Sequence, residues 1–186
     1  MKPEETVDSR SVYKGRILNL RVDTIRLPDG GEAKREIVEH NASVVIVALD
    51  DKGQAILVRQ FRKPTGEFLL EATAGTLEDG EDPDVCARRE LEEETGYIAG
   101  DMRRIGSFWI APGFCTEYMY AYVATELRHG TVNQDDDEDI EVVKVPLNQV
   151  SRMIRDGEIR DGKSIAALLT TLYLFDEELN LSNKGQ

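Results

Sequence analysis

The chain has 186 residues, 40% of them hydrophobic, enough for one domain with a core of its own and a small appendage. Its 36 acidic residues outnumber 23 basic ones, and the net charge of −13 excludes a surface built for nucleic-acid backbones or anionic membranes. No apolar run approaches the roughly 20 residues of a membrane span, Met1 to Glu5 lacks the apolar core of a signal peptide, and Cys86 and Cys115 have neither zinc nor disulfide-scaffold spacing, so a cytoplasmic protein with reduced thiols is expected.

Residues 10 to 40 read as a small β meander. Arg16 to Asp23 largely alternates apolar and polar, Pro28-Asp29-Gly30-Gly31 is a turn signal, and Ala33 to His40 returns as a second strand. Ser43 to Leu49 is a continuous apolar run rich in β-branched residues, the mark of a buried strand. Asp50-Asp51-Lys52-Gly53 turns it into Gln54 to Arg62, giving a hairpin. A short strand at Phe68 to Ala72 follows.

Asp82 fits an N-cap, Pro83 the first helical position, and Gly96 a left-handed C-cap, so a helix is expected between them, with Val85, Ala87 and Leu91 packing inward. Further strands are expected near 105–110, 118–125 and 140–145, a short helix at 150–156, an apolar helix at 164–174, and a frayed tail from Asn180. Strands then helices without strict βαβ alternation point to an α+β sandwich. The division expected is a meander at 1–41 and a main domain at 42–186.

The stretch from Gly75 to Tyr97 carries the chemistry: Gly75, Glu81, then Arg89-Glu90-Leu91-Glu92-Glu93-Glu94-Thr95-Gly96-Tyr97. At about 100° per residue, Glu94 lies about 40° and Glu93 about 60° from Glu90, whereas Glu92 lies about 200° away. Three carboxylates can therefore face one point, and gathered acids call for a cation between them. Magnesium takes oxygen ligands and is completed by a ligand phosphate, so a magnesium-dependent enzyme acting on a phosphate compound is expected. Gly75 would let the backbone turn closely in a loop before the helix, with the Ala74 carbonyl as a further donor. Arg89, inside an acidic helix, reads as an orienting partner of a neighbouring glutamate such as Glu81.

The pattern Gly75-x5-Glu81-x7-Arg89-Glu90-Leu91-x-Glu93-Glu94-x-Gly96-Tyr97 resembles the signature of the Nudix hydrolases. That resemblance implies an α/β/α sandwich with a mixed sheet, a Mg²⁺ or Mn²⁺ cofactor, and hydrolysis of a nucleoside diphosphate linked to another moiety. It implies Glu90, Glu93, Glu94 and the Ala74 carbonyl as metal ligands. Arg59 to Arg62, Glu71 to Gly75, Ala111 to Phe114 and Gly157 to Asp161 are similar to the ADP-ribose pyrophosphatase branch, as is Pro112, 16 residues beyond Gly96 (112 − 96 = 16). Thr73 departs from that branch, which often has proline there, and the GDP-mannose hydrolase branch is similar in the same segments.

By the same resemblance, ADP-ribose would be split to AMP and ribose 5-phosphate. Glu138 would be the general base, with Glu93 as the second candidate. Arg35 and Arg62 would contact substrate, Tyr13 would stack on adenine, Pro112 would mark the ADP-ribose branch, and the meander would cross to a second subunit in a homodimer. A fold module without catalysis is the competing class, but such modules usually break the acidic positions, which are intact here.

Overall fold

The computed structural model describes residues 3–130 and 139–184. Two compact units emerge: residues up to 42 together with 108–118, and residues 43–107 together with those from 119 onward.

The first unit is a three-stranded antiparallel sheet of β1 (Glu5–Lys14), β2 (Asn19–Arg26) and β3 (Glu32–Glu39), in that order. The sequence pattern revealed only the last two strands. β1 is exposed along its whole length, with Val7, Val12 and Tyr13 among mostly polar residues, so no buried face imposes an alternation on it. The loop at 111–116 is tied to β3 by backbone bonds from Val38 N to Phe114 O (2.7 Å) and from Thr116 N to Val38 O (2.9 Å).

The second unit is built on a six-stranded mixed sheet. Its strands are β4 (Ser43–Leu49), β5 (Gln54–Arg62), β6 (Glu67–Thr76), β7 (Tyr97–Trp109), β8 (Tyr118–His129) and β9 (Ile140–Pro146), in the order β7-β8-β4-β6-β5-β9. β4 runs parallel to β8 and antiparallel to β6. Every residue of β4 is buried, as its continuous apolar run requires of a strand covered on both faces. Val44, Ile46 and Ala48 pack with Cys86, Ala87 and Leu91 of α1 (Pro83–Thr95). Val45 and Val47 point to the opposite face by strand alternation, and α3 (Gly162–Lys184) packs on β4 and β6. Helices on both faces of a mixed sheet give the expected α/β/α arrangement. A short helix α2 (Val150–Arg155) precedes α3.

Three elements differ from the sequence reading. β7 starts at Tyr97, directly after the helix, because an edge strand with only Ala99 buried needs little apolar content. β6 continues through Gly75, which pairs with Val44. Val85 is 57% exposed, and the adjoining Cys86 takes the inward position instead.

Candidate active site

The helix that carries the acidic residues is anchored at both ends as its sequence dictates. Asp82 accepts the amide of Asp84 (2.8 Å), Pro83 starts the first turn, and Gly96 ends the helix at φ 71° with its N–H on Glu92 O (2.8 Å). Leu91 on the buried side fixes the rotation that brings the Glu90 carboxylate against Gly75 of β6. Glu92 turns elsewhere: a Cβ on Gly130 would stand 2.7 Å from its Oε1.

Gly75 has an ordinary backbone conformation, so turn geometry is not its role. A Cβ built there would lie 1.8 Å from Glu90 Cδ, 2.1 Å from Oε1 and 2.3 Å from Oε2. Glycine is thus needed because the Glu90 carboxylate occupies the space that any side chain would fill. The expectation of a loop glycine is corrected on this point: Gly75 is a strand residue that makes room for a carboxylate.

Arg89 organises the acids around it. Its Nε and Nη2 each donate to Glu81 at 3.0 Å, and its Nη1 donates to both Glu90 (2.7 Å) and Glu93 (2.9 Å). Glu81 also receives the Glu78 amide (3.0 Å). The Arg89 hydrogen bonds, foremost, hold the Glu81 carboxyl down to about 2, while the Arg89 guanidinium is raised by the same partner. Cys86 beside them is pushed up to about 12, first by burial and then by Glu81 and Glu90. A thiol so held is packing material, not a nucleophile.

Glu94 is buried, 5% exposed, on the α1 face. Its charge, with those of Glu71 and Asp161, is felt by Arg62. Glu71, Thr73 and Gly75 alternate onto one face of β6, opposite Val58, Ile46 and Val44. Arg62 donates from Nε (2.8 Å) and Nη2 (2.7 Å) to the buried Glu71 carboxylate. The family resemblance gives Arg62 a role as a substrate contact but Glu71 only a place in the segment Glu71 to Gly75, its polar side chain sitting inside an apolar strand signal. A lone glutamate in Leu69-Leu70-Glu71-Ala72 was the available clue.

The donor set of Glu90, Glu93, Glu94 and the Ala74 carbonyl is all oxygen, which fits a hard divalent cation. The space kept open at Gly75 fits a carboxylate that must approach the strand closely. As the side chains stand, no three His, Cys, Asp or Glu groups among the described residues are grouped to hold a metal, and Arg89 Nη1 donates to both Glu90 and Glu93. Glu138 falls outside the described residues.

The other expected residues belong to the first unit. Arg35 and Pro112 line a cleft of about 410 Å³ with Arg21, Trp109 and Phe114. Arg35 donates to Glu4 from Nε (3.1 Å) and Nη2 (2.5 Å). Tyr13 is 57% exposed on β1. Trp109 is an isolated aromatic beside a turn, with no spacing to mark it in the sequence, whereas Phe114 ends the segment Ala111 to Phe114 that carries the family resemblance, without a role of its own there.

Residues 39–168 match the NUDIX domain model, and residues 4–38 match the nucleoside diphosphate sugar hydrolase N-terminal domain. The chain belongs to the Nudix family and is a pyrophosphatase of that family. It is 38% identical over 167 residues to an ADP-ribose pyrophosphatase of Bacillus subtilis (strain 168), covering 89% of this chain and 90% of the relative. It is 37% identical over 155 residues to a GDP-mannose pyrophosphatase of Escherichia coli (strain K12), covering 77% and 81%. A crystal structure of an ADP compounds hydrolase superposes with a TM-score of 0.88 at 22% identity, covering 96% of this chain and 97% of that one, which establishes the fold. No helix among the described residues is long and apolar enough to cross a membrane.

Proposed function

We propose that the chain hydrolyses the pyrophosphate bond of a nucleoside diphosphate sugar, with ADP-ribose as substrate and AMP and ribose 5-phosphate as products. The observation that carries this is the Arg89 hub, which orients Glu90 and Glu93 together at the point where Gly75 admits the Glu90 carboxylate. A role confined to solvation would need neither the hub nor the glycine.

Glu90, Glu93, Glu94 and the Ala74 carbonyl hold the divalent cation, which we assign as Mg²⁺ with Mn²⁺ as a substitute. When bound, that ion neutralises diphosphate charge and makes a water more acidic. Arg89 fixes the carboxylate orientations, with Glu81 locking its fork from behind. Arg62 offers part of its guanidinium to a phosphate oxygen. The water oxygen bonds to one phosphorus, the bond from that phosphorus to the bridging oxygen breaks, and the bridging oxygen leaves with the other phosphate. A base takes the proton of the water. Glu138 is assigned that task, and Glu93, part exposed with one oxygen on Arg89, is the second candidate.

Arg35, Tyr13 and Pro112 are assigned to the nucleotide-sugar, and the meander at 1–41 to a homodimer. Support comes from the Arg35–Pro112 cleft and from the uninterrupted exposure of β1. The main domain at 42–186 carries the catalytic site. The two free cysteines suit a cytoplasmic setting.

Incubation with ADP-ribose and Mg²⁺, followed by chromatography for AMP, tests the reading directly. Glu94→Gln should keep the fold and lose most turnover, and Glu138→Gln at near wild-type rate would overturn the base assignment. GDP-mannose is the second reading, favoured by the 37% identity to the Escherichia coli enzyme. A rate ranking of ADP-ribose against GDP-mannose decides between them.

A further inference from the structure

Glu71 is 1% exposed yet ionised, and it is surrounded by cations. Arg62 gives it Nε and Nη2, and Lys163 gives it Nζ at 2.5 Å. Lys163 also reaches Asp161 Oδ2 (2.9 Å). That same Asp161 oxygen accepts the amide (2.9 Å) and hydroxyl (2.5 Å) of Ser164 at the start of α3, and Ser164 Oγ accepts the Ala72 amide (2.8 Å). Ala72 stands where β6 has left its ladder with β4, which ends at Thr73. The start of α3 is thereby clamped to β6 at the residue after Glu71.

Packing alone does not call for this arrangement. A buried ion pair replaced by well-packed apolar residues is commonly neutral or stabilising, so a carboxylate sunk beneath two cations is a costly way to fill a core. Its distinctive result is geometric. Arg62 spends one edge of a rigid planar fork on Glu71, which sets where the remaining edge points. The Arg62 side chain as a whole stays 36% exposed, on the sheet face that carries Gly75, and within reach of the Glu94 charge.

We propose that Glu71 and Lys163 are positioning residues for the diphosphate: Glu71 fixes the Arg62 fork so that its outer edge meets a phosphate oxygen beside Glu94, and Lys163 holds Glu71 in place from the start of α3. This rests on the reading of Arg62 as a phosphate contact. Lysine at 62 would keep the charge but lose the two-point lock.

The experiment is a double-mutant cycle on ADP-ribose hydrolysis with Glu71→Gln, Arg62→Lys and the pair, each also followed by thermal unfolding. Glu71→Gln should raise KM about tenfold with kcat within about threefold, the signature of lost ground-state binding. In the Arg62→Lys background the same change should leave KM within about twofold of the single variant, since both break one lock. A solely structural Glu71 would lower the unfolding midpoint and the active fraction while leaving KM untouched, and that result overturns the proposal. Multiplying KM effects overturn it as well. Should Glu71→Gln fail to fold, Lys163→Met serves in the cycle, with about a threefold KM rise expected alone and none beyond Arg62→Lys. If wild-type protein leaves ADP-ribose intact, the functional reading has failed, and the cycle is then read as calorimetric affinity for inorganic pyrophosphate, with the same non-additivity required.

Discussion

Replacing Gly75 by alanine is a one-carbon test of the site. The added Cβ would stand 1.8 Å from Glu90 Cδ, while carbon contacts settle near 3.5–4.0 Å, so the carboxylate must move by about 2 Å. The obstacle is the far end of a flexible side chain, and Gly75 has an unstrained backbone, so the fold can yield. Alanine also reduces the entropy of the unfolded chain, which offsets part of the cost, and net destabilisation should stay within about 1 kcal/mol. Catalysis should not yield so easily. A misplacement of about 1 Å in a reacting constellation costs on the order of 100-fold, about 2.7 kcal/mol of barrier, and the movement here is larger. The expected outcome is a thermal midpoint within about 4 °C of wild type and a kcat at least 100-fold lower, measured as AMP release under saturating Mg²⁺. A Gly75→Ala protein with a third of wild-type turnover would show that the Glu90–Gly75 contact has no bearing on the chemistry.

Further outcomes follow from the same geometry. Arg89→Lys keeps a charge but cannot serve Glu81, Glu90 and Glu93 together, and metal affinity by calorimetry should fall 10- to 100-fold. In the native protein a thiol reagent at about pH 8 should label Cys115 and spare the buried, raised Cys86; two labelled thiols would contradict the packing. Ser164→Ala removes the acceptor of the buried Ala72 amide and should cost about 1–3 kcal/mol, read as a lower urea midpoint. Burial opposes the charge on Glu71, but Arg62 and Lys163 more than offset it and hold its carboxyl below the ordinary value of 4.5. Its stabilisation is therefore complete above that value and lost as pH falls through the lowered folded-state pKa, so Glu71→Gln should flatten the acid limb of the stability–pH curve.

What the sequence made legible was what local rules govern. The caps at Asp82 and Gly96, the closeness of Glu90 and Glu93 on one side of the helix, and the doubly covered strand Ser43–Leu49 each follow from spacing and residue type. What escaped depends on partners distant in the chain. β1 has no apolar alternation because backbone pairing with β2 is its main contact. Gly75 looked like a turn because the side chain that needs its space lies 15 residues later. The role of Glu71 has no local signal because both its cations come from elsewhere, Arg62 from β5 and Lys163 from α3.

The charge balance of the site says why a cation must accompany the substrate. Among the described residues, Glu71, Glu81, Glu90, Glu93 and Asp161 form ion pairs with Arg62, Arg89 and Lys163, Glu94 lies within the electrostatic reach of Arg62, and each of those three cations already holds a carboxylate. Three negative charges are left over, and a diphosphate adds at least two. At an effective dielectric constant of about 20, like charges 4 Å apart repel by about 4 kcal/mol, enough to weaken binding about a thousandfold for one such pair. Arg62 alone cannot reverse that, since its partner Glu71 cancels its charge; on the proposed reading it would supply direction, while a divalent ion held by Glu90, Glu93 and Glu94 would supply the sign. Protein stripped by chelator should therefore bind ADP-ribose at least 100-fold more weakly than protein with Mg²⁺, besides failing to hydrolyse it. Equal affinity in the two states would mean that the acids near Gly75 do not meet the diphosphate at all.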